Sequence, residues 1–374
     1  MNYSLWAKDL LARIDEKYRH VAPRSADKVP YTTVDGRFDD WSSHDKIGWW
    51  TNGFWGGLLW LLQDFTGEDV YKSIAVTIEE KLDENLMMAD WMDHDSGFKW
   101  LLTSGAHYRL DKNDASRNRL LLSATDLAGR FNLNAGLIRA WNDPGDGTRA
   151  GLAIIDCMMN LPLLYKASEL TADPRFRQIA MCHADHAMSA FVREDGSVNH
   201  IVTFDPESGA VTGSLGGQGM QEGSCWTRGE SWALYGFALS YRHTKKQAYL
   251  DTACRAADYV LAHIPESGLL PIDYDQDPAL DWEDDCAGAI TASGLLELAG
   301  LCEGEKAEAY RSAALRLLKA LADKRLSLDA EVDYLLSHCS AAYHEKTHNY
   351  PIVYADYYFV EALMKVAGKD IFLW

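Results

Sequence analysis

The sequence predicts an all-α fold, a toroid of about six helical hairpins, on three observations: helical periodicity recurs along the chain, a loose hairpin repeat recurs with it, and strand signals are scarce. Apolar residues fall at helical spacing near 54–65, 71–88, 114–131, 151–170, 174–191, 228–243, 247–263, 286–301, 305–323 and 355–367. The first of these, in GFWGGLLWLLQDF, is apolar all round and reads as an inner helix. TGEDVYKSIAVTIEEKL at 66–82 follows with a polar turn, an aromatic and an amphipathic helix. The same order returns in TADPRFRQIAMCHADHAMSAF at 171–191, TKKQAYLDTACRAADYVLAHI at 244–264 and EGEKAEAYRSAALRLLKAL at 303–321. Tyr71, Phe176, Tyr249 and Tyr310 hold the aromatic position. A more apolar helix precedes each repeat, as WALYGFALSYRH does the third, so a buried helix is paired with an outer one. The repeats are spaced too widely and too unevenly for tetratricopeptide or ankyrin arrays. Segments 89–110, 192–227 and 265–285 carry Gly, Asp and Trp and read as loops over one mouth of the ring. No Pro/Ser-rich linker interrupts the chain, so residues 1–374 are expected to form a single domain.

Hydrophobic residues make up 47% of the 374 positions, enough for a large core. The 13 Trp and 18 Tyr exceed what packing requires, and surplus rings suggest a stacking surface. A formal net charge of −19 argues against a nucleic-acid groove or an anionic membrane as partner. Seven scattered Cys, odd in number and without CxxC or CxxH spacing, support neither a disulfide framework nor a zinc site. They fit a reducing compartment. The N-terminal MNYSLWAKDLLARIDEKYRH mixes charge through every turn, and nothing in the chain approaches the length of a membrane span. A cytoplasmic location is expected.

The unusual residues cluster in the loops and at the starts of inner helices. GWWTNGFW (48–55), WMDHDSGF (91–98), AGLIRAW (135–141), IIDCMMN (154–160) and the long 199–232 stretch combine aromatics with a few acids. That mixture suits a sugar, whose apolar faces stack on Trp and whose hydroxyls need directed acceptors. Asp156 stands in GLAIIDCMMNLPLLYKASEL, a stretch otherwise apolar on nearly every face. Burial there disfavours the ionised carboxylate, so its pKa rises and it keeps a proton near neutral pH. Such a group can donate that proton in a reaction; it can equally be an acid that caps a neighbouring helix. Asp95 reads as a second acid or as the start of an Asx-type turn at Ser96-Gly97. Asp93, His94 and Asp95 are also metal-ligating types, but no second ligand pair at helical spacing accompanies them.

Six stretches in order, WTNGFWGGLLWL, DHDSGF, IIDCMMNLPLLY, GSCWTRGESWALYGFAL, AITASGLLELA and ADYYFVEAL, make the whole chain resemble the unsaturated glucuronyl hydrolases of glycoside hydrolase family 88. The resemblance implies an (α/α)6 barrel that needs no metal or cofactor. Its implied substrate is a small anionic oligosaccharide left by a polysaccharide lyase, with a 4,5-unsaturated uronic acid at the non-reducing end. It places the two key acids on Asp95 and Asp156, and sugar contacts on Trp50, His94, Trp141, His200, Gln218, Arg228 and Trp232. Arg228 and His200 are then the expected cations of the site. An unsaturated rhamnogalacturonyl or galacturonyl hydrolase on the same barrel stays open, as does a standard inverting glycosidase with two carboxyls flanking a water. Sulfate-accepting relatives carry a pair of Ser and a Lys around a Tyr-His. Here Tyr343-His344 is flanked by Ala342, Glu345 and Lys346, which leans toward unsulfated sugars because a carboxylate repels sulfate.

Overall fold

The computed structural model describes residues 2–369 and 372–374. Helices alternate between an outer and an inner ring. The outer ring comprises α1 (Tyr3–Arg24), α3 (Asp69–Lys81), α5 (Asp114–Gly129), α7 (Pro174–Ala190), α9 (Gln247–His263) and α11 (Gly304–Lys324). The inner ring comprises α2 (Phe54–Thr66), α6 (Leu161–Thr171), α8 (Thr227–Thr244), α10 (Asp285–Leu301) and α12 (Val353–Ala367). Its remaining member, α4, is a run of three pieces, Ser96–Trp100, a π-helical turn Leu101–Gly105, and Ala106–Asp111. Each inner helix packs on the next, and α12 returns to α2, which closes an all-α (α/α)6 barrel. No helix of the described residues is long and apolar enough to cross a membrane.

The hairpins follow from local chemistry. α2 buries Phe54 to Leu62 without interruption and stops at Gly67, whose φ of +77° a side chain would strain. Asp173 caps α7 by accepting from the Arg175 N–H, with Pro174 opening the first turn. The repeated aromatic has a definite task. The Tyr71 hydroxyl donates to Asp15 of α1 at 2.6 Å, that of Tyr249 to Asp185 of α7 at 2.8 Å, and that of Tyr310 to Asp258 of α9 at 2.7 Å. Each ring thus fills the space between neighbouring outer helices while its hydroxyl ties them.

Four expectations need correction. Residues 151–170 are not one helix: Leu152–Ile154 is a strand, Ile155–Met159 a 3-10 turn, and the helix begins at Leu161. Strand pairing of Ile154 with Ile201 extends the chain there, and Asn160 with Pro162 restarts it as helix. The 192–227 stretch is not all loop, because Ile201–Phe204 and Val211–Leu215 complete a three-stranded antiparallel sheet with that strand. The supposed loop 89–110 contains most of α4. The helix near 71–88 ends at Lys81, with one further turn at Asp83–Leu86. In addition, α1 was not anticipated: its charges obscure a stripe of Leu10, Leu11, Ile14, Tyr18 and Val21 that is buried.

The ring closes on Asp356 of α12. Its carboxylate accepts from the backbone N–H groups of Leu335 and Leu336, both at 2.9 Å, and from the Tyr18 hydroxyl at 3.2 Å. Asp356→Ala should strand two buried N–H donors and a hydroxyl, and lower stability by about 2–4 kcal/mol in a chemical denaturation series. A loss below about 0.5 kcal/mol would mean that the closure does not depend on this carboxylate.

Candidate active site

A cavity of about 530 Å3 opens at the mouth of the barrel. Trp50, His94, Asp95, Trp141, Asp156, His200 and Gln218 line it, so the structure brings together most of the residues singled out in the sequence. Trp50 enters on the 3-10 turn before α2, with its ring 4.9 Å from that of Tyr354 and 5.5 Å from that of Phe98. Trp141 ends the segment that backs the strand Leu152–Ile154; the Ala140 N–H donates to the Leu152 carbonyl at 2.8 Å. Arg130 ties this segment to the neighbouring one that carries Asp95. Its guanidinium donates to the carbonyls of Met92 and Ala140, each at 2.9 Å.

Asp95 and Asp156 arrive from different hairpins. Asp95 precedes α4, held by its N–H to Asp93 Oδ1 at 2.9 Å, and Asp156 sits on the 3-10 turn between strand and α6. Both are buried. Asp95 Oδ1 accepts from Asn160 Nδ2 at 3.1 Å, and Oδ2 lies 3.4 Å from His94 Nε2. Asp156 Oδ1 has no hydrogen-bond partner among the described residues. Burial pushes the Asp156 carboxyl up to about 7, against the lowering pull of Arg228. Burial also raises Asp95 well above the carboxylate range, and the neighbouring Asp93 and Asp156 add to it. Burial and like charge therefore oppose ionisation at Asp95, while the Asn160 hydrogen bond favours it. The charge of Asp156 thus makes ionisation of Asp95 harder, which links the two acids.

The histidines are neutral. Burial takes His94 down to about 4 and His200 down to about 3. His200 Nδ1 accepts the Gln218 N–H at 2.9 Å, so the ring proton resides on Nε2, 3.8 Å from Asp156 Oδ1. His200 is thus a neutral donor beside the acid, not the cation expected from sequence.

Arg228 and Trp232 are not among the lining residues. Arg228 is fully buried behind the wall, paired with Asp284 and donating to the carbonyls of Ser340 and Ala341. Trp232 is buried against Phe98 and Tyr358, with ring centroids 5.1 and 5.6 Å away. Glu345 also stands off the cavity, its Oε2 accepting from the Tyr350 hydroxyl at 3.2 Å.

Sequence reasoning missed Trp41, Lys46, Arg149 and Asn160. The Trp41 and Trp49 rings lie 5.1 Å apart on the rim, tilted by 42°; Lys46 Nζ lies 5.1 Å from the Trp41 ring, and Arg149 Cζ lies 5.6 Å from that of Trp141. Lys46 and Arg149 line the cavity without an ion pair among the described residues. Their loops carry no motif, so only an aromatic next to a lone cation could have signalled them.

Stacking rings around two buried acids, at the mouth of an (α/α)6 barrel, define a carbohydrate-cleaving enzyme of the glycosidase class. The sequence profile described as Glycosyl Hydrolase Family 88 matches residues 20–373, and the chain belongs to that family. It is 38% identical over 326 residues to the unsaturated glucuronyl hydrolase of Bacillus sp. (strain GL1), covering 85% of this chain and 86% of that protein. It is 31% identical to the unsaturated chondroitin disaccharide hydrolase of Streptococcus pyogenes serotype M1, over 84% of this chain and 80% of that one. The crystal structure of unsaturated glucuronyl hydrolase from Bacillus sp. GL1, described as responsible for glycosaminoglycan degradation, superposes with a TM-score of 0.86 at 33% identity, covering 96% of each chain.

The raised acid makes a prediction about stability. A carboxyl whose folded pKa lies above its unfolded value stabilises the fold fully at low pH, and that contribution is lost as pH rises through the folded value. Asp156→Asn cannot ionise. It should match wild type near pH 4 and become the more stable protein by a few kcal/mol by about pH 8, because each pH unit separating the folded from the unfolded pKa is worth roughly 1.4 kcal/mol. Thermal melts across pH check this; a constant difference would mean that Asp156 is not desolvated.

Proposed function

We propose that the protein removes a 4,5-unsaturated glucuronic acid from the non-reducing end of lyase-generated oligosaccharides, with glycosaminoglycan-type disaccharides as the substrate class. The observation that carries this reading is the Asp156 carboxyl, buried, on the cavity wall, unpartnered at Oδ1 and raised to about 7. The names of the relatives, which act on unsaturated glucuronyl and unsaturated chondroitin sugars, support the same class.

The C4=C5 bond of such a sugar is conjugated to the ring oxygen as a vinyl ether. Asp156 gives its proton to C4; the π pair forms the new C–H bond, and positive charge develops over C5 and O5. Asp95, whose Oδ1 accepts from Asn160 Nδ2, offsets that charge through its carboxyl oxygens. Water adds at C5 and returns a proton to Asp156. The resulting hemiketal opens by cleavage of C5–O5, and the hemiacetal left at C1 expels the aglycone as an alcohol. Trp50 and Trp141 supply stacking faces, while His94, the His200 Nε2–H and Gln218 orient the sugar. Lys46 and Arg149 supply local positive charge to an anionic substrate that a net charge of −19 repels at long range. Arg228 and Trp232 act from behind the wall, by setting the field at Asp156 and by seating the Phe98 ring.

Asp156→Asn should lower kcat by at least about a hundredfold with little change in KM, since the amide is nearly isosteric but cannot donate that proton. Wild-type kcat should fall as pH rises through about 7, where the donor loses its proton. In deuterated water, the initial product should carry one solvent-derived deuterium at C4, measured against free product incubated alone to correct for enol exchange. A saturated glucuronide should be inert. Turnover of the saturated sugar, or an unlabelled C4, would point to a standard glycosidase that protonates the leaving oxygen and attacks C1.

A further inference from the structure

Asn160 is fully buried at the start of α6, four residues after Asp156, and no step of the proposed mechanism uses it. Its side-chain amide is committed in three directions. Oδ1 accepts from the Phe98 N–H at 2.9 Å; Nδ2 donates to Asp95 Oδ1 at 3.1 Å and to the Asp156 carbonyl at 3.2 Å. Every contact falls on a segment that carries one of the two acids. The orientation of the amide is fixed chemically, because the Phe98 N–H can be met only by the oxygen, which leaves the NH2 group facing Asp95. Gly97 makes the crossing possible: a Cβ there would lie 2.7 Å from both Asn160 Cα and Oδ1.

We infer that Asn160 is a positioning residue for the reaction: its amide holds Asp95 as a hydrogen-bond acceptor and sets the spacing of the Asp95 and Asp156 segments. The inference rests on the proposed pairing of these two acids in catalysis. The groups that face Asp95 are Asp93 and His94 beside it, Lys99 on α4, and Asp156 and Cys157 on the 3-10 turn. Asp93 and Asp156 oppose charge on Asp95. The Lys99 ammonium is engaged by the Gly48 carbonyl at 3.0 Å and Asn85 Oδ1 at 2.9 Å, and His94 is neutral at 3.4 Å. The Cys157 thiol is pushed up by burial and stays neutral. The Nδ2–H of Asn160 is therefore the short, well-placed donor to that carboxylate. Gln would be too long for the gap left by Gly97, Ser too short to reach both partners, and an ionised Asp would present a charge where a donor is needed.

The test uses the full chain, a lyase-generated unsaturated disaccharide, and the variants Asn160→Asp and Asn160→Ala. Asn160→Asp keeps the oxygen for Phe98 but supplies a donor only when protonated. Its kcat should fall about 100-fold near neutral pH, with KM within about threefold of wild type, and recover toward wild type as pH falls and the new carboxyl takes up a proton. Asn160→Ala should be impaired at every pH. A purely structural role would lower kcat by a pH-independent factor, or lower the melting temperature alone. A kcat profile for Asn160→Asp parallel to that of wild type therefore overturns the inference, and this profile decides even if Asn160→Ala does not fold. Should Asp156→Asn retain turnover, the proton-donor reading falls by itself. A parallel Asn160→Asp profile beside an inert Asp156→Asn removes only the role given to Asn160.

Discussion

Asp95 and Asp156 are buried at the mouth of the barrel, and among the described residues neither forms an ion pair with a lysine or arginine. Two carboxyls in that position cannot both carry charge cheaply, so the pair tends to hold a proton at a pH where free carboxylates have lost theirs. The surrounding structure keeps this state from being relieved. The nearby ammonium of Lys99 is held by carbonyl and amide oxygens at 2.9–3.0 Å, with Asp93 Oδ1 4.0 Å away. A free lysine would migrate to the acids and ionise both. Fixing Lys99 leaves its field present while denying the acids direct contact.

The barrel provides that environment because its inner helices begin at the mouth. Asp95 directly precedes α4 and Asp156 lies just before α6, so each acid sits where a connecting segment turns into a helix. Neither location would be rigid by itself. The three-stranded sheet anchors the second, with Ile154 paired to Ile201 in the residues flanking Asp156 and His200. Arg130 anchors the first through the Met92 carbonyl and reaches the same sheet through Ala140. Helix packing sets the coarse distance between the acids, and these polar ties fix the remainder, which is the division expected when a site depends on geometry finer than side-chain packing supplies.

The sequence made the ring legible because four stretches repeat one pattern, an apolar inner helix and an amphipathic outer one, and periodicity reads repeats well. It misjudged the elements where packing overrides periodicity. α4 was hidden by Gly97, Gly105 and its hydroxyl residues, which suit close helix contact but resemble a loop. The segment at 151–170 looked like a helix because a buried strand and a buried helix have the same apolar composition over a few residues. Acids and rings on the cavity wall were found through motif order. The charge state of His200 was not, since only the backbone N–H of Gln218 meeting Nδ1 and the burial of the ring decide it. The family resemblance implies Arg228 as a contact residue; its burial against Asp284 follows only from α8 and α10 lying side by side.

Arg228 shows why a cation can serve the site without touching it. Placed on the cavity wall, it would pair with Asp156 and hold that carboxyl ionised, which removes the proton the reading requires. Placed behind Trp226, with its guanidinium 4.5 Å from that ring and its charge shared with Asp284, it only tempers the effect of burial. Asp156 then settles at about 7, close to neutral pH. The Arg228–Asp284 pair therefore acts on Asp156 through the field alone. The neutral His200 Nε2 stands 3.8 Å from Asp156 Oδ1, beyond hydrogen-bond reach, so it adds no charge that would pull the proton from the acid.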